Sequence, residues 1–272
     1  MNFEPLTKSC LGGMLAIAFF LTLDHLPAQS EPMLRFDRVV AMTSVAGNER
    51  KLSSAFFVLY AERMFIVTAK HSALETNLTT EIALPSVGAL RIFKLADAIQ
   101  KPGVNPWIAH DSADVAACEI DLSKVGENFK QRIETMAIAV DQCQRKLPLR
   151  SSRIEVIGFP MGLGVTPERI SPLVTNCFVA SEELNLNGTW GKEANFFGAP
   201  AVGSGASGGM VTLHEEDAQA CTMIGVFIGF NGDASGAKLA RILPARVLVD
   251  FIESHCVLSR GEAKQVEKSQ AE

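Results

Sequence analysis

Residues 202–210 read Val-Gly-Ser-Gly-Ala-Ser-Gly-Gly-Met and match three glycine patterns that support three different chemistries. The first, G-x-G-x-x-G over residues 203–208, is the pattern of a dinucleotide-binding loop. The second, G-x-S-x-G over residues 205–209, is the sharp turn that exposes the nucleophilic serine of an α/β-hydrolase. The third, G-x-S-G-G over the same residues, places glycines around a serine that a neighbouring base could activate as a nucleophile.

The surroundings of the loop argue against a dinucleotide site. Such a loop lies between a strand and a helix, and an acidic residue follows about twenty positions later. Here Pro200 precedes the loop, residues 210–214 have the composition of a strand, and the twenty-residue offset falls on the apolar segment 225–230. We therefore expect no nucleotide cofactor.

The α/β-hydrolase pattern requires a serine, then an acid, then a histidine along the chain. Asp233 and His255 follow Ser207 in that order, and His214 also follows it. However, only 65 residues remain after Ser207, and the alternating strands and helices of that fold are missing from the sequence. An esterase of this type remains the weaker alternative.

The third pattern requires a histidine and then an acid upstream of the serine. His71 ends the segment MFIVTAKH, and Asp114 opens the segment DVAAC; the three residues are 43 and 93 positions apart. Asp111 in HDSADVAA competes with Asp114 for the role of the acid. We prefer Asp114 because it directly precedes a predicted strand, which would fix its position.

The three motifs T-A-x-H at 68–71, D-V-A at 114–116 and G-x-S-G-G at 205–209 together resemble the chymotrypsin-like (trypsin-like) serine protease family, especially its bacterial secreted members. The resemblance covers about residues 36–255. It implies a polypeptide substrate, His71 as general base, Asp114 as its orienting acid and Ser207 as nucleophile. It also implies that the amides of Gly205 and Ser207 form the oxyanion hole, with no metal ion.

The same resemblance indicates where a substrate would bind. Ala201 would lie at the bottom of the P1 pocket, and because no carboxylate stands there we expect an apolar or small P1 side chain. The substrate backbone would pair with Val226, Phe227, Ile228 and Gly229. The chain departs from the family pattern at Ala206 and Met210, so a catalytically silent binding module on the same fold is the competing hypothesis.

The rest of the sequence predicts an all-β fold. Short β-branched and aromatic runs recur from residue 36 onwards, separated by glycine, asparagine or charged residues. With the resemblance, they predict two antiparallel six-stranded β-barrels over residues 31–145 and 146–258, linked at the polar segment 141–152. A C-terminal helix from Pro244, with Val247, Leu248, Phe251 and Ile252 on one face, would close the second barrel, and residues 259–272 form a polar tail.

The first thirty residues have the layout of a secretory signal peptide. An uncharged run of fourteen residues covers 10–23, and the small residues Ala28 and Ser30 precede a cleavage point before Glu31. This predicts a secreted or periplasmic protein. Because Glu4 cancels the charge of Lys8, an uncleaved membrane anchor through residues 10–23 is the alternative.

The net charge and the cysteine spacing argue against nucleic acid and zinc as binding partners. The net charge is −5, which gives no basic field for nucleic acid. The cysteines lack C-x-x-C spacing, so we expect no zinc site. After removal of the leader at most two disulfides could form among five residues, and buried thiols are an equal alternative; these cysteines are Cys118, Cys143, Cys177, Cys221 and Cys256.

Overall fold

The computed structural model describes residues 33–46, 49–87, 90–99 and 105–255. The predicted leader at 1–30, the polar tail at 259–272 and Cys256 lie outside the described residues. None of the helices within the described ranges is long and apolar enough to cross a membrane.

Strands dominate the described residues, and the predicted runs at 53–61, 63–69, 153–160 and 222–230 all form strands. In chain order, the strands are β1 (Val39–Ala46), β2 (Glu49–Tyr60), β3 (Arg63–Thr68), β4 (Glu81–Leu84), β5 (Ser86–Val87), β6 (Arg91–Lys94), β7 (Ile108–Ala109), β8 (Ala116–Ile120), β9 (Ile138–Ala139), β10 (Arg153–Gly158), β11 (Arg169–Ile170), β12 (Leu173–Val179), β13 (Leu184–Gly188), β14 (Gly191–Ala199), β15 (Met210–Leu213), β16 (Met223–Gly232) and β17 (Lys238–Pro244). The helices are α1 (Lys70–Ala73), α2 (Glu127–Met136) and α3 (245–255).

The strands form two main sheets, one in each half of the chain. The first has the order β6-β4-β1-β2-β3-β8-β7, and β9 runs parallel to β2. Its six longer strands form the predicted antiparallel set, and the two-residue strands β7 and β9 extend it. The second sheet has the order β12-β10-β15-β16-β17-β14-β13, and β12 also pairs with β14, so six strands close into a barrel with β13 appended.

Several of the central strands are apolar on both faces because each face packs against a different core. In β2, Phe57 faces the interior of the first barrel while Phe56 faces a core shared by both halves. In β10, Val156 faces the interior of the second barrel while Ile157 faces the shared core. Since successive side chains of a strand point to opposite faces, burial on both sides requires the continuous apolar runs seen in the sequence.

Helix α3 covers the shared core through Ala245, Leu248, Val249 and Ile252, which are buried at i, i+3, i+4 and i+7. The predicted face is therefore rotated, because Val247 and Phe251 are only partly buried. Pro244 is the last residue of β17 and not the first turn of the helix.

Ser54 of β2 joins the first half of the chain to the glycine-rich loop of the second half. Its N–H donates to the carbonyl of Ser207 at 2.8 Å, and its hydroxyl donates to the carbonyl of Gly205 at 2.9 Å. The same hydroxyl accepts the N–H of Phe159 at 3.0 Å, and the Ser54 carbonyl accepts the hydroxyl of Thr68 at 2.8 Å. Ser54 is fully buried, so water cannot replace these bonds.

Replacing Ser54 by alanine is expected to lower the free energy of unfolding by about 1–3 kcal/mol, because it leaves the buried Phe159 N–H and Gly205 carbonyl without a partner. Urea denaturation of parent and variant measures the difference. Ser53→Ala, on the opposite face of the same strand, is the control and should stay within about 0.5 kcal/mol of the parent. Equal stability of the Ser54→Ala variant and the parent would contradict the linking role.

The described cysteines are all free thiols, and all are buried: Cys118, Cys143, Cys177 and Cys221. Burial raises the pKa of Cys118 and of Cys143 to about 12. It raises the pKa of Cys177 and of Cys221 to about 11. Since the thiolate is the reactive form, these side chains are packing groups with little nucleophilic character at neutral pH.

We expect iodoacetamide at pH 8 to leave these four thiols unmodified in the folded protein and to alkylate all four in urea. Peptide mapping by mass spectrometry reads both results. Early alkylation of any of the four, or a peptide pair linked through two of them, would show that the thiol assignment is wrong.

Candidate active site

His71 is positioned by the junction of β3 with the single helical turn α1. Strand β3 ends at the buried Thr68, and α1 begins at Lys70 after the buried Ala69. Amide hydrogen bonds from Ala73 to Ala69 and from Leu74 to Lys70 close the turn. The apolar strand therefore anchors the turn, and His71 remains partly exposed, with 40% of its side chain accessible.

Asp114 holds His71 by two hydrogen bonds. Its Oδ2 lies 2.8 Å from His71 Nδ1, and its Oδ1 accepts the backbone N–H of His71 at 3.0 Å. The Asp114 side chain is only 6% exposed. A carboxylate on Nδ1 fixes the tautomer that leaves Nε2 free to accept a proton.

The turn before Asp114 is built around His110. Its Nδ1 accepts the backbone N–H groups of Ser112 and Ala113 at 3.1 and 3.0 Å. Burial lowers the pKa of His110, which favours the neutral ring that this acceptor role requires. Asp111 is exposed and makes no contact with His71, so of the two acids considered only Asp114 meets the histidine.

The loop that carries Ser207 depends on glycine at two positions. Gly205 has a φ of +93°, and a Cβ there would lie 2.6 Å from the Phe159 carbonyl oxygen. Gly208 has a φ of +83°, and its Cβ would lie 2.1 Å from the Thr68 hydroxyl. These left-handed conformations and close approaches exclude side chains, and they bring the Ser207 loop against the end of β3, just before His71.

The amides of the loop divide into two groups. The N–H of Gly208 donates to the Phe227 carbonyl at 2.8 Å, and that of Gly209 donates to Ala206 at 2.8 Å. Among the described residues, the N–H groups of Gly205 and Ser207 have no acceptor, as two oxyanion donors require. Nor does a hydrogen bond within the described ranges join Ser207 Oγ to His71 Nε2.

An open strand edge lies beside the serine loop. Val226 pairs with β15 and β17, and Phe227 bonds to the loop and to β17, so neither is available to a substrate backbone. Within the predicted segment 226–229, Val226 and Phe227 are thus paired inside the sheet and the loop, whereas Ile228 and Gly229 lie at the open edge. The register shifts between Phe227 and Gly229, and residues 229–232 then pair with β17 alone.

Gly205 lies between an uncharged segment of the chain and a cavity whose lining includes a charged residue. Ala201 is half-buried and Val202 is buried, and residues 201–205 contain no charged group. Next to Gly205 lies a cavity of about 390 Å³, lined in part by Leu52, Met161 and Arg50.

A pair of charged residues beside Asp114 has no recognisable pattern in the sequence. Glu193 Oε2 accepts the backbone N–H of Asp114 at 2.9 Å, and Glu193 Oε1 contacts the Arg241 guanidinium. Burial lowers the pKa of Arg241, and the negative charge of Asp114 opposes that effect. Glu193 and Arg241 lie on β14 and β17, two neighbouring strands that are far apart in the sequence.

The sequence matches no protein-family model and no curated protein sequence. The fold is similar to that of the MamO protease domain from Magnetospirillum magneticum, with 14% identity, a TM-score of 0.54, and coverage of 79% of this chain and 95% of that one. It is also similar to the HtrA-type protease AlgW with tripeptide (19% identity, TM-score 0.56, 80% of this chain and 60% of that one). A third similar structure is the Rv3671c protease from M. tuberculosis in its active form (16% identity, TM-score 0.53, 78% and 77%).

These similarities cover 78–80% of this chain and therefore include parts of both sheets. This chain spans 60% of the AlgW chain, so that protein contains further sequence with no counterpart in the alignment. At these identities the comparison concerns the fold alone. The chain has the two-barrel fold of the chymotrypsin-like serine proteases, as its three sequence motifs implied.

Proposed function

We propose that this protein is a serine endopeptidase that hydrolyses peptide bonds through an acyl-enzyme on Ser207. The observation that carries the proposal is the buried Asp114 carboxylate, which binds both Nδ1 and the backbone N–H of His71. A structural histidine needs no such two-point attachment. On the facing loop, the N–H groups of Gly205 and of Ser207 itself have no acceptor within the described part of the chain, and Gly205 and Gly208 hold the serine in place.

In this mechanism His71 Nε2 removes the proton of Ser207 Oγ as the oxygen attacks the scissile carbonyl carbon. Asp114 stabilises the imidazolium that forms, and the amides of Gly205 and Ser207 bind the carbonyl oxygen as it becomes negative. His71 then protonates the leaving amine. His71 then takes a proton from water, which attacks the ester carbon, and His71 returns that proton to Ser207 Oγ as the bond from Oγ to the acyl carbon breaks. The Ser207–His71 hydrogen bond forms when a substrate fills the cleft.

The substrate would bind as an added strand. The edge of β16 from Ile228 to Gly232 has β17 on one side only, so an extended peptide can pair with its free backbone groups. The P1 side chain would then point toward Ala201 and Val202, whose apolar surroundings favour an apolar or small residue. The leaving-group side would extend toward the cavity beside Gly205.

The location of the protein is also a proposal. The leader-like residues 1–30 favour export, which would make the enzyme secreted or periplasmic. Sequencing the N-terminus of the protein from the culture medium or periplasm tests this: a chain that begins at Glu31 supports export and cleavage, and a membrane-bound chain that retains residues 10–23 contradicts it.

We expect a fluorophosphonate probe to label the parent protein at Ser207 and to leave Ser207→Ala unlabelled. The matched control is Ser204→Ala, because Ser204 is an exposed serine in the same loop and should label like the parent. Peptide-library cleavage should fall at least about 10³-fold in Ser207→Ala, since binding and the oxyanion donors alone give only residual catalysis. A folded parent that neither labels nor cleaves would favour the binding-module hypothesis.

Specificity provides a separate prediction. The parent should cleave after apolar or small residues, and Ala201→Asp should raise kcat/KM for P1 Lys or Arg by about tenfold or more, because it places a carboxylate in the pocket. Ala201→Asn has nearly the same volume without the charge and serves as the control. Cleavage after Arg by the parent, or equal profiles for the Asp and Asn variants, would contradict the assignment of Ala201 to the P1 pocket.

A further inference from the structure

We propose that the buried Glu193–Arg241 ion pair positions the catalytic acid, Asp114. Through this pair the second barrel holds Asp114, which belongs to the first barrel. The two charges also influence the protonation of His71. This inference rests on the proposed serine peptidase function. Neither residue touches His71 or Ser207, so both would act through Asp114.

The contact crosses from one barrel to the other. Asp114 follows the turn at residues 110–113 in the first barrel, whereas Glu193 and Arg241 belong to the second. The Asp114 side chain is committed to His71, and its backbone N–H is committed to Glu193 Oε2 at 2.9 Å. Because this hydrogen bond holds the backbone N–H of Asp114, it also holds the Asp114 Cα. The position of the Cα determines where the carboxylate meets His71.

The Glu193 side chain is fully buried, and Arg241 is the cation that contacts it. Arg241 is itself held by Asn195, whose Oδ1 accepts the guanidinium Nε–H at 3.3 Å. A buried carboxylate without its partner is strongly unfavourable, so the arginine stabilises the Glu193 side chain in this position. A charged acceptor also gives the Asp114 N–H a stronger hydrogen bond than a neutral one would.

The β13–β14 hairpin is shaped to hold this pair against the Asp114 turn. A Cβ at Gly188 would lie 2.1 Å from Glu193 Oε1, so only glycine leaves room for the carboxylate. At the hairpin tip, the Cβ position of Gly191 lies 3.1 Å from Ser112, and the Trp190 ring lies 5.0 Å from Lys70 Nζ. The hairpin therefore contacts both the residue before His71 and the turn before Asp114.

Other charged groups also face the His71–Asp114 pair. Lys70 donates to the carbonyl of His110, Asp111 is exposed on the same turn, and Glu75 beyond α1 is paired with Lys51. His110 is a neutral acceptor of two amides. All of these stay unchanged in the variants below, so a shift in pH dependence reports Glu193 or Arg241.

The two charges predict opposite effects on the pH profile. The acidic limb of the profile is the rise of kcat/KM with pH as the His71 ring loses its proton. Glu193→Gln removes a negative charge near His71 and so disfavours the protonated ring, which moves this limb to lower pH. Arg241→Met removes a positive charge and moves that limb to higher pH, and Arg241→Lys restores it toward the parent. We expect kcat to fall about ten- to a hundredfold in Glu193→Gln with little change in KM, because misplacing a catalytic group slows chemistry more than binding.

The matched control is Glu155→Gln, since Glu155 is buried to the same 3% exposure and is also paired with an arginine, Arg35, but belongs to a different site. It should lose stability while keeping the parent's kcat and pH limb. Variants of Glu193 and Arg241 that fold but shift the limb in the same direction, or not at all, would overturn the proposal.

The positioning role can be tested without measuring peptide cleavage, so that it can fail or succeed independently of the proposed function. In a Ser207→Ala background, NMR of the His71 ring is followed against pH with and without each second substitution. Opposite displacements of the His71 titration in Glu193→Gln and Arg241→Met support the positioning pair even when the parent proves inactive. Unchanged titrations in folded variants refute it even when the parent cleaves peptides.

Discussion

His71, the proposed base, and Ser207, the proposed nucleophile, lie on different barrels, and the hydrogen bonds of Ser54 connect one barrel to the other. Its N–H and hydroxyl bind the carbonyls of Ser207 and Gly205, while its own carbonyl accepts the hydroxyl of Thr68, three residues before His71. The first barrel therefore holds the carbonyls of Gly205 and Ser207, and among the described residues the N–H groups of the same two residues have no acceptor. One buried serine thus sets both the spacing and the orientation of the site.

A second contact between the barrels joins Glu193 to the backbone of Asp114. The β13–β14 hairpin reaches the turn before Asp114 and places a buried carboxylate, Glu193, on its backbone N–H. The first barrel therefore supplies His71 and Asp114, but the second barrel borders both of them. The shared core between the barrels contains buried apolar residues from both halves of the chain, and such packing opposes movement of one barrel relative to the other.

Local signals in the sequence explain which features could be predicted. Strands buried on both faces are continuous apolar runs, and Gly205 and Gly208 mark a turn with left-handed backbone, so the barrels, this turn and the contact of His71 with Asp114 were predictable. Helix α2 was not, because only Ile133 and Met136 are buried along it. Glu193 and Ser54 were missed because each looks like an ordinary polar strand residue until distant strands meet.

The central claim is that Ser207, His71 and the two free amides act on one carbonyl group, and a crystal structure of the phosphonylated protein tests it most directly. The account predicts a covalent bond from Ser207 Oγ to phosphorus and a phosphoryl oxygen within about 3 Å of the amides of Gly205 and Ser207, with His71 Nε2 beside the adduct. Phosphorus on another residue, or an adduct whose oxygen lies away from both amides, would contradict it.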